Sequence, residues 1–354
     1  MRILVTGGAG FIGSEFVRST LKGELPGSEG ARVTVFDDLT YSGNLANLAP
    51  VSGLPTYRFV RGNTCDPVAV DAAVAGHDVI VHFAAESHVD RSIDTATPFV
   101  QTNALGTQVL LEAALRHGVQ RFVHVSTDEV YGSIDKGAWT EESPLMPNMP
   151  YAAAKAASDL LVLAWHRTRG LDVVVTRCSN NYGHYQYPEK VIPLFVTNLL
   201  EGLPVPLYGD GGNERDWLHV SDHCLGIQLA LLSGRSGEVY HIAGGSSMTN
   251  EELTGRLLEA CGTDWSMVKH VPDRQGHDRR YALDITKIQT ELGYVPRVGF
   301  EEGLAATIAW YQRNESWWRP LKELGATLPT PESVPAEGDE AGEPVGTHSQ
   351  EGKA

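Results

Sequence analysis

The chain has 354 residues, 42% of them hydrophobic and 20% charged, with a formal net charge of −16. That length supports one large domain or two moderate ones, and the acidic balance argues against non-specific nucleic-acid binding. No run approaches the roughly 18 apolar residues of a membrane span, and Cys65, Cys178, Cys224 and Cys261 show no ligand spacing, so no metal, no membrane and a reducing cytoplasm are expected.

Met1-Arg2-Ile3-Leu4-Val5 opens directly as a strand, with no signal-peptide pattern before it. Gly7, Gly10 and Gly13 follow with G-x-x-G-x-x-G spacing, then a helix to about Lys22. Such glycines allow a tight turn, close backbone approach to a pyrophosphate, and a helix packed near the strand. Three spaced glycines are a weak signal in a chain with 37 of them, but their place between first strand and first helix strengthens it. A second strand from Arg32 to Phe36 ends at Asp37, an acid placed to bind a ribose diol and to repel a 2′-phosphate. Asp38 next to it is an alternative that the pattern leaves open.

A third strand lies near 57–61 and ends at Gly62-Asn63-Thr64; a fourth, 78–83, runs into Ala84-Ala85-Glu86-Ser87. His82 is expected to pack in or beside the sheet and His88 to lie on a loop. A helix over 96–117 carries Thr102 and Asn103. The apolar run Arg121–Val125 reads as a buried strand, and Ser126-Thr127-Asp128-Glu129-Val130-Tyr131-Gly132 follows at its carboxyl end, where doubly wound sheets place their chemistry. If the chain bends there, residues 127–129 converge on one pocket.

Tyr151 and Lys155 share one face of the next helix. A phenol titrates near 10, so a Tyr base needs a drop of about three units, roughly 4 kcal/mol of phenolate stabilisation. A neighbouring ammonium and an oxidised nicotinamide together supply it. A sixth strand, 171–177, leads to Ser179-Asn180-Asn181-Tyr182-Gly183. A helix over 193–200, an edge strand at 205–209, a helix over 221–233 and a strand at 239–243 follow, the last two fit to rejoin the first sheet. Helices near 249–261, 284–292 and 301–313 complete a smaller lobe. After residue 322 come seven acidic residues, one lysine, four prolines and no aromatics, so 322–354 reads as a disordered acidic tail, leaving −10 on the rest.

The expected fold is therefore α/β: a Rossmann-type doubly wound parallel sheet over 1–180, completed by 217–243, with an interleaved substrate-binding lobe over 181–321. Thr6-Gly7-Gly8-Ala9-Gly10-Phe11-Ile12-Gly13, His82–Asp90, Ser126–Gly132, Tyr151 with Lys155, Ser179–Gly183, Pro188-Glu189-Lys190 and Arg215-Asp216-Trp217 together resemble the extended short-chain dehydrogenase/reductases, and within them the dTDP-glucose 4,6-dehydratases. The resemblance spans about 1–321, and its most specific element is the acid pair after Ser-Thr, which related epimerases generally lack.

The resemblance implies NAD as cofactor, dTDP-glucose as substrate, and a homodimer formed through the helices near 96–117 and 151–168. It implies Tyr151 as base for the 4-hydroxyl, Thr127 as donor to the 4-oxygen, Lys155 as the ribose-holding cation, Glu129 as base at C5 and Asp128 as acid at the 6-hydroxyl. It places Gly7, Gly10, Phe11, Ile12, Gly13, Asp37, Leu39, Thr40, Asn63, Thr64, Phe83, Ala84, Ala85, Thr102 and Asn181 at the cofactor with Tyr151 and Lys155. Ser87, Asn180, Lys190, Val191, Pro206, Tyr208, Arg215, Asn250, Arg274 and His277 fall at the substrate, with Lys190, Arg215 and Arg274 supplying the local positive charge that a diphosphate needs on an acidic chain. Glu15, Asn63, His184 and Gln275 depart from the usual pattern. Alternative readings are a sugar-nucleotide 4-epimerase or decarboxylase of the same fold, and an inactive NAD-binding regulatory protein, which would normally have lost the Tyr or the Lys.

Overall fold

Alternate residues of a strand face opposite sides of its sheet, and in the central strands here both sides are apolar. Ile3, Val5, Val79, Val81, Val123 and Val125 enter one buried cluster, while Leu4, Ile80, Phe122, Val173 and Val175 enter another. Strands apolar on both faces need cover on both, which is the condition for a doubly wound parallel sheet. The computed structural model, which describes residues 1–326, has that architecture.

The first six strands are β1 (Arg2–Thr6), β2 (Arg32–Asp37), β3 (Tyr57–Arg61), β4 (Val79–His82), β5 (Arg121–Thr127) and β6 (Val173–Cys178). Then come β7 (Asn180–Tyr182), β8 (Val205–Tyr208), β9 (Glu214–His219), β10 (Glu238–Ile242), β11 (Ser247–Thr249) and β12 (Val268–Val271). The main sheet runs β3-β2-β1-β4-β5-β6-β10, every pair parallel. Phe16 and Val17 of the helix Phe11–Leu21 and Leu225, Ile227 and Leu231 of Val220–Ser233 cover one face. Val70, Leu110, Leu111 and Val162, from Pro67–Val74, Gly106–Arg116 and Pro150–Arg169, cover the other. The order turns back at β1, between β2 and β4, and this switch point opens the crevice in which such sheets bind ligands.

β7, β9 and β11 form a second sheet, and β8 pairs with β12 in a third. They pack with the helices Val191–Leu200, Asn250–Ala260 and Phe300–Arg313 around Tyr182, Phe195, Trp217, Leu253, Leu257 and Ile308. Between β9 and β11 the chain crosses back to contribute the helix Val220–Ser233 and β10 to the main sheet, as the apolar pattern there predicts.

Two expectations need correction. Residues 322–326 are not tail: they end a helix, Glu315–Ala326, whose Trp318 is buried against the smaller lobe's core. The remainder of the expected disordered tail, 327–354, lies outside the described residues. The helix expected over 96–117 is not uniform: between Thr97–Phe99 and Gly106–Arg116 it widens into a π-helical stretch, Val100–Leu105, that carries Thr102 and Asn103. No helix among the described residues is long and apolar enough to cross a membrane.

Candidate active site

Gly7 has φ of 69°, and a Cβ there would sit 2.5 Å from the Ala84 amide nitrogen. A Cβ on Gly13 would sit 2.3 Å from the Gly7 carbonyl oxygen. The turn is therefore closed to larger residues at both positions. Gly10 precedes the first helix with no side-chain cap, which leaves the helix's first N–H groups for an anion. Asp37, at the end of β2, accepts from the Ala9 N–H at 2.9 Å and the Leu39 N–H at 2.8 Å, tying the glycine turn to the neighbouring strand. Burial raises its pKa, partly offset by those two amides. Each carboxylate oxygen keeps acceptor capacity for a ribose diol.

After β4 the backbone is fixed by Asn103, whose side chain accepts from Glu86 N–H at 2.8 Å and donates to Glu86 O at 3.1 Å. His82 bridges Thr6 Oγ1 at 2.7 Å and Thr107 Oγ1 at 2.9 Å inside the core, and burial drives its pKa far down, so it is a neutral structural group. His88 caps the helix Val89–Asp94 through the Arg91 N–H and lies 3.5 Å from Glu189.

The chain does bend at the end of β5. Thr127 is extended and caps a 3₁₀ turn, Asp128–Tyr131, with its hydroxyl 3.3 Å from the Glu129 N–H. Gly132 ends the turn at φ 76°, where a Cβ would lie 2.4 Å from the Met146 carbonyl. The turn brings Thr127, Asp128 and Glu129 into the wall of one cleft with Tyr151 and Lys155, and sends Tyr131 inward to His241 and Arg177.

The two acids are electrostatically unlike. Burial and the Glu129 charge push Asp128 well above the carboxylate range, opposed by Arg215. Burial also raises Glu129, but Arg274, Lys190 and Arg215 all oppose that rise. Asp128 is thus the better proton holder and Glu129 the better acceptor. Lys155 donates to the Val125 carbonyl at 2.7 Å, and burial lowers its pKa to about 8 while Asp159 pulls the other way. Without a cofactor beside it, burial first and then the Glu129 charge push the Tyr151 phenol well above the usual value, and Thr127 pulls it down. Glu129, of the acid pair that makes this pocket distinctive, works against the phenolate.

All the residues expected at the cofactor line this cleft of about 320 Å³ except Leu39. Leu39 packs its side chain on the core, and its backbone, at φ 57°, turns its N–H onto Asp37. Asn63 is tied up locally, donating to Asp38 at 2.9 Å and accepting from the Cys65 N–H at 2.7 Å. A second cleft of about 220 Å³ joins the first through Glu129, Asn180, Asn181, Gln186, Glu189 and Lys190. It is lined by Val191, Pro206, Tyr208, Arg215, Asn250, Arg274 and His277, whereas Ser87, Thr127 and Asp128 line the first.

The basic groups of the second cleft are held in place. Lys190 donates to the Ser87 carbonyl at 2.9 Å, Arg274 pairs with Asp90 at 3.1 Å, and Arg215 donates to the Asp278 carbonyl at 2.8 Å while stacking over Tyr281. Several lining residues have no site role in the sequence reading: Glu86, Glu189, Asn47, Tyr185, Tyr187, Trp317 and Leu321. Glu189 had a signal, its place in Pro188-Glu189-Lys190; Trp317 and Leu321 had none, because they lie at the far end of the chain.

Residues 4–307 match the family model described as GDP-mannose 4,6 dehydratase. A dTDP-glucose 4,6-dehydratase from Streptomyces niveus is 70% identical over 91% of this chain and 96% of its own length. The crystal structure of DesIV, a dTDP-glucose 4,6-dehydratase from Streptomyces venezuelae with NAD and TYD bound, superposes with a TM-score of 0.90 at 62% identity over 91% of this chain and 100% of that one. A UDP-glucose 4-epimerase from Thermus thermophilus, in complex with NAD, has a TM-score of 0.81 at 33% identity over 89% of this chain and 100% of that one. On the strength of the family match and these identities, the chain belongs to the GDP-mannose 4,6 dehydratase family and, within it, to the dTDP-glucose 4,6-dehydratases.

Proposed function

We propose that this protein converts dTDP-D-glucose to dTDP-4-keto-6-deoxy-D-glucose and water, with NAD as resident cofactor. The observation that carries the reading is the Asp128–Glu129 pair on its turn at the end of β5, two neighbouring acids set apart by their surroundings and sharing a cleft with Tyr151.

The residues present fit the cofactor. The closed glycine turn and free helix start suit a pyrophosphate, Asp37 suits a ribose diol and disfavours a 2′-phosphate, and Lys155 suits the second ribose. When bound, NAD+ supplies the acceptor for the C4 hydride and the donor that returns it to C6. Tyr151 takes the proton of the 4-hydroxyl, with Thr127 hydrogen-bonding the 4-oxygen. Glu129 removes the C5 proton, made acidic by the adjacent ketone, and later returns it. Asp128 protonates the 6-oxygen as it leaves as water. Over one turnover the proton gained by Tyr151 replaces the one lost from Asp128, so both residues end as they began. Lys190, Arg215 and Arg274 hold the diphosphate and sugar in the second cleft, with Asn180, Asn250 and His277. On this reading 1–180 and 217–243 serve the cofactor and 181–321 the nucleotide sugar.

Substrate carrying deuterium at C4 tests the chemistry. The label is expected at C6 of a 4-keto-6-deoxy product; a 4-epimer with its 6-hydroxyl intact would support the epimerase reading instead. The cofactor site has its own test. Gly13→Ala drives a methyl onto the Gly7 carbonyl. Overpacking of that kind costs about 1–3 kcal/mol, so NAD affinity is expected to fall roughly 10- to 100-fold in equilibrium dialysis.

The same reading includes a homodimer. Exposed Val100, Leu105 and Leu160, on the helical segments the resemblance assigns to a four-helix contact, supply apolar surface for it. The four free cysteines suit a reducing cytoplasm.

A further inference from the structure

The helix Glu315–Ala326 belongs by packing to the smaller lobe, yet it forms part of the cofactor cleft. Trp318 is buried in the lobe's core and donates its indole N–H to the Tyr311 carbonyl at 2.8 Å. Trp317 and Leu321 turn the other way and, among the described residues, are the only ones beyond Lys190 that line the first cleft.

This face is fastened to the glycine turn. The Trp317 indole N–H donates to Asn47 Oδ1 at 3.0 Å, and Asn47 Nδ2 donates to the Ala9 carbonyl at 2.9 Å. One buried asparagine thus joins the pyrophosphate turn to the last helix. The Trp317 ring lies 5.0 Å from Trp310 and 5.5 Å from Tyr185, centroid to centroid, and the Tyr185 ring carries the Arg18 guanidinium at 4.3 Å. The Tyr187 hydroxyl donates to the Leu321 carbonyl at 3.1 Å. At the outer side Glu201 pairs with Arg319 at 2.9 Å and with Lys322.

We propose that the Trp317–Leu321 face is a latch that retains the dinucleotide through the catalytic cycle, with Trp317 as its cofactor-contacting residue. The proposal rests on the dehydratase reading above. Hydride removed at C4 must return at C6, so loss of the reduced dinucleotide in mid-cycle would strand an oxidised sugar. The crevice of a doubly wound sheet is open on one side. Here a separate element, tied by Asn47 to the turn that grips the pyrophosphate, stands on that side. It belongs to neither helical layer of the sheet, and Trp318 anchors it in the lobe's core, so Trp317 and Leu321 can turn aside for loading while the helix stays seated.

The test measures nucleotide release, not turnover. Purified protein is loaded with labelled NAD, chased with excess unlabelled NAD, and the retained label followed by filter binding. Trp317→Ala is expected to release NAD about 10-fold faster or more, and to carry less nucleotide as purified. Trp317→Phe keeps a ring but loses the donor to Asn47, and is expected to fall between the parent and Trp317→Ala. It also keeps the proposal testable if the alanine variant fails to fold, which circular dichroism reveals. Release at the parental rate from folded variants would overturn the latch. Parent protein that neither carries nor takes up NAD would overturn the cofactor assignment beneath it, a result distinct from an unchanged rate.

Discussion

Glu129→Gln is expected to reduce turnover by about 10²–10⁴-fold, the usual loss on removing a general base, while leaving the first hydride transfer intact. Mixed with substrate in a stopped-flow instrument, the variant should accumulate the absorbance of reduced cofactor and stall there. The substitution nearly preserves volume and shape but cannot accept the C5 proton. Full activity in Glu129→Gln would assign that base elsewhere. The pH dependence follows from the same site. Glu129 works deprotonated, and burial raises its pKa, so activity is expected to climb with pH through a limb above the ordinary carboxylate value. Asp128 works protonated and is pushed well up, so activity should fall again as pH rises through its pKa. The two limbs belong to the coupled pair, and the acid limb should disappear from the residual rate of the glutamine variant.

Tyr151→Phe is expected to fail one step earlier, with turnover again down about 10²–10⁴-fold and no reduced cofactor accumulating. The contrast between the two traces separates the roles: absorbance that rises and stays in one variant, absorbance that never rises in the other. Parental reduction of the cofactor by Tyr151→Phe would remove the tyrosine from the hydride step. Because the Glu129 charge opposes the phenolate, the positive nicotinamide ring must do more here than in a pocket without that acid. Tyr151 should therefore deprotonate readily only with oxidised cofactor beside it, and a spectrophotometric titration of the phenol with and without NAD+ addresses that point.

What was legible in the sequence is what local pattern encodes. The glycine turn and the strand-end acid Asp37 each rest on a few consecutive residues and stand where they were expected, while the bend after β5, which the pattern left open, is settled by the 3₁₀ turn. The return of β10 to the main sheet was also legible, because its apolar run matches the other buried strands. Features set by distant parts of the chain were not. β7 and β11 have three residues each, too few to display a period. The bond from the Leu39 N–H to Asp37 depends on a backbone conformation that the residue pattern does not report. Trp317 reaches the cleft across 270 positions to Asn47, which no local pattern reports. The direction of the Tyr151 shift depends on the sum of surrounding charges, and the motif names those charges without weighing them.

The placement of β10 bears on how the chain folds as it leaves the ribosome. β6 is finished at Cys178, but its outer edge waits for Glu238–Ile242, and the apolar surface over β5 and β6 waits for Val220–Ser233. A nascent chain halted after β6 holds six strands of the sheet with a bare edge and an uncovered face. That is the kind of surface on which chaperones act and aggregation begins. The cofactor-binding half is therefore not an early, autonomous folding unit; it closes only once β7, β8 and β9 of the smaller lobe and the strand β10 have been translated.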